Sequence, residues 1–153
     1  MSPQRSIVLA ATLVFAAASA ALAQEPSKAE QALKYRKSVY QVIAWNFGPM
    51  SAMAQGKAPY DAKAFALRAE RVAALAPMLA EAYPPESRDV ANSKLKPEMW
   101  TKRADFDARL QDLARRSAAL AQTAKAGDFE TSKAAFFEVG NVCKGCHDRY
   151  KAD

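Results

Sequence analysis

The chain has 153 residues, half of them hydrophobic and a quarter charged, with a formal net charge of +6. That length and balance fit one soluble domain once the ends are set aside. Lysines and arginines are spread along the chain rather than clustered with interleaved aromatics, which excludes a nucleic-acid-binding signature.

Residues 1–23 read as a secretory signal peptide. Arg5 supplies the positive start, Ile7 to Ala18 is apolar, and Ala21-Leu22-Ala23 is an A-x-A cleavage site. A retained membrane anchor is the alternative. Ala and Ser dilute the segment, however, and small residues stand where a signal peptidase cuts. The expectation is a mature domain over 24–153, exported to the periplasm and not held at a membrane after cleavage. Losing Arg5 with the signal leaves about +5, a mild excess that either steers an acidic partner or marks an ordinary solvated surface.

Beyond Ala23, apolar residues recur at three-four spacing in four stretches, and none alternates with period two, so the fold class is all-α. The first predicted helix opens on a capping box, Ser27 to Glu30, and carries the stripe Leu33, Arg36, Tyr40, Ile43, Phe47, Met50 and Ala54 before Gly56. Pro49 predicts a kink or local loosening within it. The second starts at Asp61 and presents Phe65, Ala69, Val72, Ala76, Leu79 and Tyr83. A bend is expected at Pro77 and a stop at Pro84-Pro85. Glu86 to Lys96 lacks periodicity and reads as a crossover loop. The third helix is predicted to open at Pro97, to carry Phe106, Leu110, Leu113, Ser117, Leu120 and Ala124, and to end at Gly127. The fourth, capped by Asp128, carries Phe129, Ser132, Phe136, Val139, Cys143, Cys146 and Tyr150. Short connections make neighbours antiparallel, which gives a four-helix bundle with room for a cofactor near one end.

Cys143-Lys144-Gly145-Cys146-His147 contains both cysteines and the sole histidine of the chain, and C-x-x-C-H is the attachment motif of c-type haem. Two thiols suit thioether bonds to the haem vinyl groups, and the adjacent imidazole suits an axial position on the iron. Export agrees with this chemistry, because an unprotected C-x-x-C outside the cytoplasm otherwise tends to oxidise. The rival readings each lack a part. A thioredoxin-like pair needs a βαβ context, zinc needs a fourth ligand, and a disulfide across three helical residues is strained. One covalent haem c is therefore expected, with Cys143 and Cys146 as attachment points and His147 as axial ligand. Arg36 interrupts an apolar stripe, and a buried guanidinium needs an anion such as a haem carboxylate; a snorkelling arginine at the bundle end is the alternative. Tyr40 sits on the same inward stripe. Met50, Met53, Met78 and Met99 are available as a second axial ligand and equally serve as core filler. Tyr83, Trp100 and Phe136 are candidate pocket walls or plain core.

Lys34-Tyr35-Arg36, Phe47-Gly48 with Met50, Pro59-Tyr60-Asp61, Lys96-Pro97-Glu98-Met99-Trp100 and the run from Val139 to Tyr150 occur in one order and spacing. In these the chain over 24–153 resembles the class II c-type cytochromes, and within them the cytochromes c′. The resemblance implies an antiparallel four-helix bundle that is commonly a homodimer, through contacts that would draw on Ala32, Val39 and Val42 of the first helix. It implies that Arg36 and Lys37 contact the haem propionates, although the family often has glutamine at the second place. Lys151, where arginine is more usual, would lie on the proximal side near His147. Low-spin relatives of the cytochrome c-556 type bind iron through a methionine nineteen residues before the proline of the P-Y-D motif. Here that position is Tyr40, and in cytochromes c′ a bulky side chain there covers the iron without binding it. A neutral phenol is a poor ligand, so a pentacoordinate high-spin iron is expected. The implied function is non-enzymatic binding of small diatomic gases, nitric oxide and carbon monoxide, in nitric-oxide sequestration. The competing reading is an electron carrier between redox partner proteins, with a six-coordinate iron; a third is a haem-free helical interaction module.

Overall fold

The computed structural model describes residues 25–152, and the segment 1–23 read as a signal peptide lies outside them. Helix α1 spans Lys28–Ala54. Its capping box is formed: the Ser27 side chain accepts from the Glu30 amide, and the Glu30 carboxylate accepts from the Ser27 amide at 2.8 Å. The helix runs unbroken through Pro49, where the sequence predicts a loosening, because Met50 and Ala54 just beyond it are buried and hold the last turn to the core. Gly56, at φ +69°, turns the chain after it.

Helix α2 spans Ala62–Leu75, with the Asp61 carboxylate accepting from the Ala64 amide at 2.9 Å. At Pro77 the expected bend takes the form of a change of helix type. Proline has no amide to donate, and the chain tightens into a 3-10 segment over Ala76–Glu81 that keeps Ala76 and Leu79 buried. The third predicted helix is in two pieces, α3 over Glu98–Thr101 and α4 over Arg103–Lys125, separated at Lys102 with φ −116° and ψ 39°. Every residue of its predicted stripe from Phe106 to Ala124 is buried. Gly127, at φ +79°, ends it, and Asp128 caps α5, Phe129–Tyr150, through the Thr131 amide at 2.8 Å.

Helices α1, α2, α4 and α5 form an antiparallel four-helix bundle around Met50, Phe65, Val72, Leu79, Phe106, Leu120, Phe136 and Val139. Helix α1 packs closely along α2 but meets α5 sparingly, and a cavity lies between them. A helix with two neighbours buries more than one column of side chains. Val39 is therefore 5 % exposed and belongs to the core, not to a second outer face with Val42 and Ala32. The exposed large apolar residues among those described are Val42 and Trp45 on α1, Leu67 on α2, Met78 in the 3-10 segment and Phe137 on α5, with Trp45 76 % exposed. Among the described residues no helix is long and apolar enough to cross a membrane.

Candidate functional site

The crossover loop is pinned to the end of α5. The Lys96 amide donates to the Tyr150 carbonyl and the Ala152 amide to the Lys94 carbonyl, each at 2.8 Å, and Leu95 bridges to Lys151. This closes one side of a cavity of about 590 Å³ whose other walls come from α1, α4 and α5. The volume falls within the range of cofactor pockets, roughly 300–1,000 Å³.

All seven residues that the sequence reading assigns to haem contacts line this one cavity: Arg36, Lys37 and Tyr40 from α1, Cys143, Cys146 and His147 from α5, and Lys151 just after it. The two cysteines are three apart on one helical face, half-buried and not joined to each other. Burial pushes both thiols above the usual thiol range. Burial and the Lys151 ammonium lower the proton affinity of His147, which favours a neutral imidazole with a free lone pair. Among the described residues no cluster of three His, Cys, Asp or Glu side chains converges as a metal site, so the zinc reading gains nothing.

Arg36 is 4 % exposed. Its guanidinium donates to Ser87 Oγ at 3.1 Å and Ser93 Oγ at 2.9 Å, approaches the Ala82 carbonyl at 3.5 Å, and lies 5.2 Å from the centre of the Tyr83 ring. All of these partners are uncharged, and burial lowers its proton affinity. Among the described residues the cavity lining holds Arg36, Lys37, Lys94 and Lys151 and no Asp or Glu. A buried cation with neutral partners, facing a cavity rimmed by lysines, suits a ligand bearing carboxylates. With two thiols and an imidazole on the opposite wall, the donor set fits haem c.

Tyr40 is half-buried, and its hydroxyl meets that of Tyr83 at 2.9 Å. Burial raises both phenols, Tyr40 well above the usual range, so both stay protonated near neutrality. Tyr83 does line the cavity, whereas Trp100 and Phe136 do not. Phe136 instead stacks behind the lining residue Phe47, with ring centroids 4.2 Å apart. Among the described residues no methionine lines the cavity; Met50 and Met99 are fully buried elsewhere in the core.

Sequence reasoning missed the loop's share of the site. Ser87 and Ser93 hold Arg36, and Lys94 and Leu95 join the lining, yet nothing in an aperiodic polar stretch marks them. It also missed Asp105, which accepts from Arg109 at 2.9 Å and from the Tyr150 hydroxyl and so ties α4 to α5 near the haem motif. The Arg109 guanidinium also reaches the Gly145 carbonyl inside that motif at 3.4 Å.

The family model described as Cytochrome C' matches residues 31–151. The cytochrome c' of Rubrivivax gelatinosus is 40 % identical over 124 residues, covering 81 % of this chain and 96 % of that protein. Among solved structures, cytochrome c prime from Shewanella frigidimarina is 40 % identical with a TM-score of 0.79, covering 84 % of this chain and 100 % of that one. A nitric oxide complex of a mutant of cytochrome c prime from Alcaligenes xylosoxidans is 34 % identical with a TM-score of 0.76, covering 84 % of this chain and 99 % of that one. The match spans nearly all of the bundle, and the chain belongs to the cytochrome c′ family, with haem c as its cofactor.

Proposed function

We propose that this protein binds small diatomic gases, nitric oxide and carbon monoxide, at a pentacoordinate haem iron, and that it serves in periplasmic nitric-oxide sequestration without catalysing a reaction. In this reading Cys143 and Cys146 would hold the haem through thioether bonds, and His147 would supply a ligand to its iron. Arg36 and Lys37 take the propionates, and Lys151 stands on the His147 side. Bound there, haem supplies an iron centre with one coordination position open to a gas.

The observation that carries the reading is the composition of the cavity wall. It offers one imidazole and, on α1, a protonated tyrosine in place of a methionine. Tyr40 covers the cavity without offering a good metal ligand, so entry of a gas displaces packing rather than a metal bond. That cost favours strongly binding gases over weak ones. The Alcaligenes relative seen with nitric oxide supports the ligand class. Electron carriage through a methionine-ligated iron is the weaker reading, because Met50 is fully buried away from the cavity. The spin state of the resting ferric protein tests the proposal: high spin is expected, and six-coordinate low spin would overturn it.

Two further parts belong to the same proposal. Residues 1–23 are removed on export, which leaves the domain from Gln24. Val42, Trp45 and Leu67, exposed on α1 and α2, form the homodimer contact in place of the Val39 face.

A further inference from the structure

We infer that Tyr83 is a positioning residue that latches Tyr40 across the cavity, so that an entering gas must break the hydroxyl contact between them. The inference rests on the proposed gas-binding reading and adds a residue that neither the haem motif nor the first-helix pattern designates.

The two hydroxyl oxygens are 2.9 Å apart, and this is the hydrogen bond the structure gives Tyr40. Tyr83 is the fixed member of the pair. It is 4 % exposed, Phe106 of α4 packs edge-on to its ring at 4.8 Å and 80°, and its carbonyl accepts from Arg103 Nη1 at 2.9 Å. Arg36 of α1 lies 5.2 Å from the ring centre, and Pro84-Pro85 follow at once in the chain. Tyr40 is less enclosed, half-buried on the cavity side of α1. A side chain with one polar tether to a rigid post has two arrangements, tethered over the cavity or swung aside. Either hydroxyl can be the donor in this contact, and the latch closes whichever of the two protons lies between the oxygens. While the latch holds, the Tyr40 hydroxyl is engaged with Tyr83.

The test uses the haem-loaded, reduced protein and the association rate of carbon monoxide. Tyr83→Phe removes one hydroxyl and keeps the ring packing. It is expected to raise the rate about three- to tenfold, the range set by one net hydrogen bond. Tyr40→Phe should give a similar rise, and the double variant no more than either alone, because all three lose the same contact. Thermal unfolding of the same four proteins supplies a readout independent of gas binding, and it should show the two positions coupled. If Tyr40→Ala speeds association while Tyr83→Phe leaves it at the wild-type rate, the latch is overturned and Tyr40 gating survives. Additive rate changes, or zero coupling in the unfolding cycle, overturn it as well. If Tyr40→Ala also leaves the rate unchanged, gating by Tyr40 fails and the latch with it.

Discussion

Replacing Arg36 by methionine asks what its buried charge is for, because the sign of the stability change depends on whether the guanidinium has an anionic partner. In the protein alone its partners are two serine hydroxyls at 3.1 and 2.9 Å and a more distant carbonyl. A buried cation so placed recovers little of its desolvation, and a flexible apolar side chain of similar length would cost nothing or stabilise. With haem carboxylates in the cavity the balance reverses. Removing one partner of a buried ion pair costs about 3–5 kcal/mol. The exposed Lys37, Lys94 and Lys151 at the same cavity take up part of the stranded negative charge and reduce that to about 2–3 kcal/mol. At about 4 °C per kcal/mol for a domain this size, the haem-loaded Arg36→Met protein should melt about 8–12 °C below wild type. Arg36→Lys, which keeps the charge but loses the planar fork, should fall between them. Far-ultraviolet circular dichroism during heating reads the effect. A haem-loaded Arg36→Met protein as stable as wild type would refute the pairing of Arg36 with an anion.

Two other outcomes follow from the same geometry. The Arg109 guanidinium and the Tyr150 hydroxyl hold the Asp105 carboxyl down to about 2, below its ordinary value of 3.8. A carboxyl lowered on folding stabilises fully above its unfolded value and loses that contribution as pH falls through the folded one. Acid titration should therefore show wild type losing stability between about pH 4 and pH 2, while Asp105→Asn shows a shallower fall; identical acid limbs would remove Asp105 from the account. Trp45→Asp should convert a homodimer into a monomer at micromolar concentration with its helix content intact, as read by sedimentation. A wild-type protein already monomeric there would contradict the α1–α2 contact.

The bundle was legible because its signals are local and periodic. The Ser27 box and the Asp61 and Asp128 caps each satisfy amides within one turn, and the stripes of the second helix and of α4 are buried as written. The haem motif was legible because a single turn of helix sets the spacing of Cys143, Cys146 and His147. The break at Lys102 and the 3-10 geometry after Pro77 leave the burial stripe unchanged, and periodicity therefore passes over them. Val39 was misplaced because one stripe describes a helix with one neighbour, whereas α1 has two. The cavity's far wall was illegible for a different reason. Ser93, Lys94 and Leu95 reach it through backbone pairing of the crossover loop with the chain end, more than fifty residues on in sequence.

Electron paramagnetic resonance of the resting ferric protein at neutral pH, compared with Met50→Leu, tests the open coordination position most directly. Both proteins should give the same high-spin signal, since Met50 lies outside the cavity. A low-spin wild-type signal that turns high-spin in Met50→Leu would contradict the account and make the protein a methionine-ligated electron carrier.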